Sequence, residues 1–142
     1  MTEIYTSRVR TGRINDWLAA RRGVSLGSLG EWAVLKMLYR MGWELVARNW
    51  STRAGELDLV MYEGKTLVFV EVKTRVKSPI AIPEDNFSPR KFDRIESLAW
   101  SFLERYEVED TPVRFDLAAV ETEDRRIFWI RHYRGLGDYR GG

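Results

Sequence analysis

The chain has 142 residues, 44% of them hydrophobic and 31% charged, which is the composition of one globular domain. It has no cysteine and a single histidine, His132, which excludes a disulfide framework, a cysteine-based zinc site, a thiol nucleophile and a multi-histidine metal site. The formal net charge of +2 permits nucleic-acid binding without arguing for it. No apolar run reaches the roughly 18–20 residues that cross a bilayer, and no signal-peptide segment is recognisable, so we expect a cytoplasmic protein.

Residues 1–27 are predicted to form a basic extension ahead of the folded domain. Their only acidic residues are Glu3 and Asp16, whereas the arginines are Arg8, Arg10, Arg13, Arg21 and Arg22. The pattern is compatible with a short helix around Asn15–Arg22. The segment is either a basic arm that contacts phosphates or a partly disordered terminus, and we favour the second interpretation.

The first predicted helix covers residues 28–41 and ends at Gly42, a residue type that commonly terminates helices. Ser28 and Glu31 have the spacing of a capping box, in which each side chain accepts a hydrogen bond from the other residue's backbone N–H. Apolar side chains near a 3.6-residue period follow at Leu29, Trp32, Ala33, Leu35, Met37 and Leu38. From the residues alone, Glu31 is therefore a helix-capping residue.

Residues 55–75 predict a β-hairpin, around which the rest of the chain is organised. Apolar side chains alternate with charged or aromatic ones on both sides of the polar segment 63–66. That segment, Glu-Gly-Lys-Thr, has the length and composition of a four-residue hairpin loop. The loop length pairs Tyr62 with Leu67 and so fixes the register of the two strands.

The register places four charged side chains at one end of one face of the hairpin. Asp58 is expected opposite Glu71, and Glu56 opposite Lys73, because side chains two residues apart share a face. The other face is wholly apolar and consists of Leu57, Leu59, Met61, Val68, Val70 and Val72. A shift of one residue would place charges among these apolar side chains, so the register is strongly specified.

Carboxylates that face each other across neighbouring strands repel, so Asp58 and Glu71 should raise each other's pKa or hold a cation between them. A hard divalent ion fits such a site, because Mg²⁺ in proteins commonly uses one or two carboxylates together with substrate phosphate and water. Lys73 adds a positive charge on the same face, where it can orient a water molecule or stabilise an oxyanion. The hairpin therefore predicts a metal-dependent site.

A second helix is predicted over residues 89–106, with Ser88 as its N-cap and proline at its first position. Arg90, Lys91 and Arg94 lie in its first turns, where positive side chains oppose the helix dipole. They either bind phosphate together with the free N–H groups of the helix start, or form a solvated basic face. If one of them binds substrate, Lys91 is the strongest candidate.

The remaining segments predict three strands, a loop and a tail. Residues 43–50 form a strand, in which Arg48 and Asn49 either contact substrate or belong to a solvated strand face. Residues 74–87 lack periodicity and form either a loop that closes on substrate or a plain flexible connection. Residues 113–120 form a strand that a helical crossover places parallel to the second hairpin strand. Residues 127–130 form a last edge strand, His132 is assigned to the surface, and the tail from Arg134 is expected to be loose.

Several other side chains are assigned structural roles. Arg114 and Asp116 share one face of their strand, where they can pair with each other. Trp32, Trp43 and Trp100 are placed in the core. Stacking on nucleic-acid bases is the alternative for these aromatic rings.

An ordered set of motifs resembles the YraN-like family of predicted bacterial endonucleases, which are related to Holliday-junction resolvases. The motifs are Gly30-Glu31, Gly42-Trp43, Arg48-Asn49-Trp50, Gly55-Glu56-Leu57-Asp58, Leu67 to Arg75, Pro89-Arg90-Lys91 and Arg114-Phe115-Asp116. Within this set, Asp58 and Glu71-Val72-Lys73 resemble the Asp…(Asp/Glu)-X-Lys signature of the PD-(D/E)XK nuclease superfamily. The resemblance covers residues 28–130.

The resemblance implies an α/β fold with a restriction-endonuclease-like αβββαβ core, a mixed sheet flanked by helices. The element order read from the residues is the same. The chain is accordingly divided into the basic extension 1–27, a nuclease-like domain 28–133 and a tail 134–142.

The resemblance also implies a Mg²⁺- or Mn²⁺-dependent endonuclease that acts on DNA, branched or junction DNA in particular. The implied catalytic residues are Asp58, Glu71, Lys73 and Glu31. The implied metal ligands are Asp58, Glu71, Glu56 and the Val72 carbonyl. The implied substrate-binding residues are Lys91, Arg75 and Arg90.

Two alternatives to an enzyme stay open from the sequence. One is a non-catalytic nucleic-acid-binding or assembly module on the same scaffold, since a fold does not guarantee activity. The other is an ordinary interaction protein whose acidic cluster is a solvated strand end. The relation to junction resolvases makes a homodimer plausible, because a branched junction offers two symmetric cuts.

Overall fold

The computed structural model describes residues 2–10 and 24–137. The predicted helix around Asn15–Arg22 and residues 138–142 of the tail lie outside these ranges. The elements in chain order are β1 (Glu3–Arg10), α1 (Leu26–Arg40), β2 (Glu44–Thr52), β3 (Gly55–Glu63), β4 (Thr66–Val76), a 3₁₀ turn (Pro83–Asn86), α2 (Pro89–Arg105), β5 (Val113–Thr122) and β6 (Ile127–Arg134).

Across the described ranges, the strands form one mixed six-stranded sheet in the order β1-β6-β5-β4-β3-β2. The β4–β5 pair is parallel and the other neighbouring pairs are antiparallel. The run from α1 to β5 has the predicted order αβββαβ. The predicted α/β fold, compatible with a restriction-endonuclease-like core, is therefore confirmed.

The two helices cover opposite faces of the sheet, and each buries its own apolar cluster. The α1 cluster includes Leu29, Ala33, Val34, Leu38, Leu59, Met61, Val68, Val70 and Val72. The α2 cluster includes Phe92, Ile95, Leu98, Phe102, Leu57, Val60, Leu67 and Phe69. Full burial of one such large apolar side chain contributes about 1.5–3 kcal/mol, so these two layers hold the helices at fixed positions over the sheet. Neither helix is long and apolar enough to span a membrane.

The start of α1 differs from the prediction. Ser25, not Ser28, is the N-cap, and its side chain accepts a hydrogen bond from the Ser28 backbone N–H at 3.0 Å. Ser25 has the extended backbone that an N-cap requires, so the N-cap lies three residues before the predicted one. Glu31 therefore lies beyond the N3 position and is not part of a capping box. The start of α2 is as predicted, since the Ser88 Oγ accepts from the Lys91 backbone N–H.

The predicted hairpin register is confirmed. Tyr62 pairs with Leu67, and the ladder continues regularly to the pair Leu59–Val70. Glu63 and Thr66 also pair, so the turn itself contains only Gly64 and Lys65. Gly64 has a φ of +58°, which glycine adopts without strain.

The two ends of the chain contribute more to the sheet than predicted. Glu3–Arg10 forms edge strand β1 along β6, so this part of the assigned extension belongs to the folded sheet. The strand expected over residues 127–130 continues to Arg134 and lies between β1 and β5, so it is not an edge strand. Lys36, on α1, donates a hydrogen bond to the Arg10 carbonyl and ties the end of β1 to the helix.

Three predicted exposures are wrong. His132 is 1% exposed, because it lies in β6 between two neighbouring strands and its ring contacts Trp43 edge-on. Trp43 is buried as predicted, but Trp100 is 67% exposed and Trp32 is 39% exposed. Both of these tryptophans lie on helix faces that the apolar clusters do not include.

The segment after the hairpin is more ordered than predicted. β4 extends to Val76, and a 3₁₀ turn follows at Pro83–Asn86. Glu84, in that turn, accepts hydrogen bonds from Arg131 at 2.6 and 2.8 Å and from the Tyr133 hydroxyl at 2.5 Å. These contacts fasten the middle of the loop to β6.

Candidate metal and nucleic-acid site

The site lies where β3 and β4 separate. Their ladder ends at the pair Leu59–Val70, so Asp58 and Glu71 are not paired as the register predicted. Instead, a carboxylate oxygen of Asp58 accepts a hydrogen bond from the Val72 backbone N–H at 2.8 Å. The Asp58 side chain thus lies in the gap between the two strands, where backbone pairing would otherwise continue.

The backbone of Val72 supports its predicted role as a ligand. In an extended strand, the N–H and C=O of one residue point to the same side. Because the Val72 N–H reaches toward Asp58, the Val72 carbonyl also faces the opening between β3 and β4. Val72 contributes to the lining of the cleft that contains Asp58.

The side chains of β3 exchange faces of the sheet at Asp58, so the orientation predicted for residues 56 and 57 is wrong. Leu59 belongs to the α1 cluster, and regular alternation would put Leu57 there as well. Leu57 instead belongs to the α2 cluster. Glu56 consequently points to the α1 side, away from Lys73, with which it was predicted to pair.

The exchange brings three carboxylates together. Oxygens of Glu31, Glu56 and Asp58 lie within 4.8 Å of one another. Glu31 comes from α1, and the other two come from β3. The residues alone assigned them to a helix cap and to the face of a strand, and the family resemblance implied one shared site. The tertiary structure brings the three carboxylates together.

Close packing of α1 on β4 positions Glu31. A Cβ atom added to Gly30 would lie 1.9 Å from the Thr74 Oγ1, so glycine is what allows the helix to approach the strand here. Gly27, one turn earlier, has only the Ser25 Oγ at 3.9 Å from such a Cβ. The close approach is therefore specific to Gly30, the residue directly before Glu31.

Glu71 and Lys73 adjoin the cluster from the other side. Alternation along β4 places both on the α2 face with Leu67 and Phe69. The Lys73 Nζ lies 3.1 Å from a Glu71 carboxylate oxygen, and Glu71 is 6% exposed. Asp58, in the gap between the strands, interacts with Glu31 on one side and with Glu71 on the other.

Burial and mutual repulsion make these acids weak. Burial, reinforced by the Asp58 charge, raises the pKa of Glu31 to about 7. Burial and the Asp58 charge raise the pKa of Glu71 to about 8, although Lys73 opposes the shift. Burial also raises the pKa of Asp58, in spite of the Val72 N–H bond. Neighbouring acids with shifted pKa values are typical of a functional site.

The cluster fits a divalent cation by its donor set and its spacing. Oxygen ligands lie about 2.1 Å from Mg²⁺, so two oxygens on one ion are at most about 4.2 Å apart. The carboxylate oxygens already lie within 4.8 Å, so modest side-chain rotations suffice. A cation would also relieve the repulsion that raises the pKa values of Glu31 and Asp58.

The cluster opens onto a cleft of about 410 Å³ that the start of α1 also lines. Ser25, Gly27 and Ser28 come from that helix start, and Asn49 comes from β2. The first turn of a helix presents backbone N–H groups without helical partners and the positive end of its dipole. An anion bound beside the carboxylates would meet these groups.

The predicted substrate-binding residues lie on the α2 side. Arg75 follows Lys73 on the same face of β4, and Arg90 and Lys91 lie in the first turn of α2. The Lys91 Nζ donates a hydrogen bond to the Asn86 carbonyl and so holds the 3₁₀ turn. Arg94 is nearer to the hairpin, because its Cδ would lie 3.8 Å from a Cβ on Gly55.

A second polar network fixes the start of β5. The predicted pair of Arg114 and Asp116 is present at 2.9 Å, and the His132 Nε2 lies 2.8 Å from the other Asp116 oxygen. Glu63 binds both Arg114 and Arg134 at 2.6 Å. This network joins β3, β5 and β6 and serves the fold.

Asn49 is the site residue that sequence reasoning left undecided. Its side chain reaches both Glu31 and Glu56, and Ser51 donates a hydrogen bond to Glu56 at 3.0 Å. The signal was present in the Arg48-Asn49-Trp50 motif, which is part of the resemblance. The strand alone gave no reason to separate Asn49 from a solvated face.

Comparison with known proteins identifies the family. Residues 30–120 match the model of "Uncharacterised protein family UPF0102". A UPF0102 protein of Geotalea daltonii is 32% identical over 114 residues, covering 80% of this chain and 90% of that protein. UPF0102 proteins of Beutenbergia cavernae and Pelotomaculum thermopropionicum are 37% and 38% identical, covering 80% and 76% of this chain and 96% and 91% of those proteins. The chain therefore belongs to the UPF0102 family, which is the YraN-like family that its motifs resemble.

Proposed function

We propose that the protein is a metal-dependent phosphodiesterase that cleaves DNA internally. The observation that carries the proposal is the position of Asp58, which links the carboxylates of Glu31 and Glu56 to the Glu71–Lys73 pair. This arrangement costs folding free energy, because Glu31, Asp58 and Glu71 are held at raised pKa values. A bound Mg²⁺ or Mn²⁺ would neutralise the cluster, stabilise charge on the scissile phosphate and make bound water more acidic.

Different residues would bind the cation, position the water and bind the phosphate. Asp58, Glu71, Glu56 and the Val72 carbonyl would hold the cation, and Glu31 would complete the ligation. Lys73 positions the attacking water and, as an ammonium group, attracts the negative charge that develops on the phosphate. The free N–H groups at the start of α1 bind a phosphate oxygen.

Contacts with the rest of the substrate fall to the basic residues of the α2 side. Arg75, Arg90 and Lys91 bind phosphates that neighbour the scissile one, which fixes the register of the strand without reading its sequence. The net charge of +2 is low for gripping a duplex, so binding depends on this local patch. A homodimer would present two such patches to a branched junction.

The main alternative is a non-catalytic nucleic-acid-binding or assembly module on the same scaffold. The two proposals differ in their requirement for the cation. A binding module binds DNA in the presence of a chelator and is indifferent to loss of the Asp58 charge. A nuclease needs both the cation and the charge.

The deciding experiment incubates the protein with labelled four-way junction, flap, single-stranded and duplex DNA in Mg²⁺, Mn²⁺ or EDTA. Asp58→Asn and Lys73→Met are the test variants. Glu104→Gln is the control, because this exposed carboxylate lies near the end of α2 outside the cleft. We expect cleavage only with a divalent cation, a loss of at least 100-fold in both test variants and wild-type rates in the control.

Two results count against the proposal. Cleavage that persists in EDTA or in Asp58→Asn indicates a contaminating nuclease. Cation-independent DNA binding with no cleavage of any substrate favours the binding module.

A further inference from the structure

Besides the register shift between Leu45 and Ala47, the ladder of β2 and β3 has a second irregular step at Asn49. The ladder between these strands passes from the pair Arg48–Leu59 directly to the pair Trp50–Leu57. Asn49 and Asp58 face each other at the step that is passed over. The φ of Asn49 is +48°, a left-handed backbone in the middle of a strand. Asparagine tolerates this conformation better than most non-glycine residues.

The side chain of Asn49 joins the two carboxylates that come from different elements. With the amide nitrogen toward the cluster, it donates hydrogen bonds to Glu31 Oε1 at 2.8 Å and to Glu56 Oε1 at 3.1 Å. The hydrogen-bond network decides this orientation of the amide, because the opposite orientation would face oxygen with oxygen. Asn49 is thus the neutral group that holds Glu31 and Glu56 close together against their repulsion.

We propose that Asn49 is a positioning residue that assembles the cation site by bridging Glu31 and Glu56 from a left-handed backbone position opposite Asp58. The inference rests on the proposed function, since it concerns the same carboxylates. Asn49 acts through these neighbours and takes no part in the chemical step.

The bridge leaves the carboxylates able to bind a cation. The Asn49 NH₂ group bonds only one oxygen of Glu31 and one oxygen of Glu56, so the second oxygen of each carboxylate remains available as a ligand. Wild-type Asn49 therefore keeps both carboxylates in position for the cation.

Two variants separate the amide from the backbone. Asn49→Gly relieves the left-handed backbone but removes the bridge. Asn49→Asp keeps the shape and the tolerance for a positive φ, but it replaces the donating NH₂ with a negatively charged oxygen. Asp110→Gly is the matched control, because Asp110 also has a positive φ, of +51°, and lies in the turn before β5.

The first measurement is the affinity for Mn²⁺, by calorimetry and electron paramagnetic resonance, in the absence of DNA. We expect Asn49→Gly to bind about 10- to 100-fold more weakly than wild type, as is common when a neighbour that orients metal ligands is removed. Asn49→Asp should bind at least as tightly as wild type, yet unfold at a lower temperature when EDTA is present. Asp110→Gly should bind like wild type.

A second measurement follows the side-chain amide of Asn49 directly. Its ¹⁵N–¹H resonances should shift when Mg²⁺ is added to wild type and stay in place in Asp58→Asn. Resonances that stay in place while wild type binds Mg²⁺ would show that Asn49 does not bridge the ligands of the cation.

The outcomes distinguish this inference from the proposed function. If wild type binds Mn²⁺ but both Asn49 variants bind it with wild-type affinity, the role of Asn49 is wrong and the proposed function stands. A loss in Asp110→Gly as large as that in Asn49→Gly also overturns the role, since the effect would then be a general one of backbone change. If wild type binds no cation, both the inference and the proposed function fail.

Discussion

The Asp58 carboxylate accepts the Val72 backbone N–H at 2.8 Å, in the position where a partner strand would have supplied a carbonyl. One acid thus ends the β3–β4 ladder and occupies the resulting gap. The gap opens between two apolar layers, so the acid is largely removed from water, and burial raises its pKa. The Asp58 carboxylate therefore occupies a position in the sheet where regular backbone pairing would leave no room for a side chain, and the candidate cation site is built around it.

Replacing Asp58 by asparagine tests whether its charge, rather than its hydrogen bond, defines the site. Asn keeps an oxygen for the Val72 N–H and removes the charge that repels Glu31 and Glu71. We expect the unfolding temperature in EDTA to equal or exceed that of wild type, and the rise on adding Mn²⁺ to disappear. Asp58→Ala should be less stable by about 1–3 kcal/mol, because the buried N–H loses its partner. Equal destabilisation of both variants would contradict this account.

The raised pKa of Glu71 predicts an unusual pH dependence of stability. The unfolded chain loses this proton near pH 4.5, whereas the folded chain keeps it to about pH 8. Between these values the folded state binds more protons, so the free energy of unfolding falls as the pH rises and levels off above about 8. Glu71→Gln removes this contribution. We expect it to be more stable than wild type at pH 8 in EDTA by about 1 kcal/mol or more, since each pKa unit corresponds to about 1.4 kcal/mol.

Urea denaturation of wild type and Glu71→Gln at pH 5 and pH 8 measures this difference. The two proteins should differ least at pH 5. Saturating Mn²⁺ should reduce the advantage of the variant at pH 8, because only wild type keeps the ligand. A variant that is less stable than wild type at both pH values would show that Glu71 is a structural ion-pair partner of Lys73.

Gly30→Ala tests the close approach of α1 to β4. The added Cβ would lie 1.9 Å from the Thr74 Oγ1 and 2.9 Å from two further atoms of that side chain. Overpacking of this kind typically costs about 1–3 kcal/mol, and displacement of the helix should also weaken Mn²⁺ binding through Glu31. Gly27→Ala is the control and should be neutral or stabilising by up to about 1 kcal/mol, because alanine favours the helix. Chemical denaturation and calorimetry measure both effects.

A second substitution, at Thr74, tests whether the clash causes the loss. Thr74→Ala removes the atom nearest to the new Cβ, so the double variant should recover part of the stability and of the cation affinity. If Thr74→Ala does not help Gly30→Ala, the clash is not the cause of the loss.

The buried pair of Asp116 and His132 predicts loss of stability in acid. Burial alone would raise the pKa of Asp116, but hydrogen bonds from His132 and Arg114 outweigh it and hold the pKa below its usual value. Its contribution to stability is therefore fully present above the unfolded pKa of about 3.9 and is lost as the pH falls through the lower folded value. Asp116→Asn should be less stable by about 3 kcal/mol at pH 7.

Between pH 5 and pH 3, Asp116→Asn should lose less stability than wild type. Thermal unfolding across this range is the measurement, with Glu104→Gln as a control that follows wild type. An identical acid profile in wild type and Asp116→Asn would show that other carboxylates govern the acid transition.

The sequence by itself determined the hairpin, its register and the order of the core elements. Alternation in both strands and the short turn between Tyr62 and Leu67 are local signals, and strong local periodicity leaves few alternatives. The same alternation assigned Asp58, Glu71 and Lys73 to neighbouring positions. Strand β1 and the inner position of β6 were not predicted, because edge pairing of distant segments leaves little trace in either segment alone.

Only the tertiary structure decided which carboxylates meet. Alternation predicted that Glu56 would face Lys73, but Asn49 and Asp58 interrupt β2 and β3 at the same step and turn Glu56 to the α1 side. The N-cap of α1 is Ser25 and not Ser28, so Glu31 is not a capping residue. Because Gly30 has no side chain, α1 packs closely against Thr74 of β4. Each of these changes depends on contacts between elements that are distant in sequence, where the balance of packing and burial overrides the local pattern.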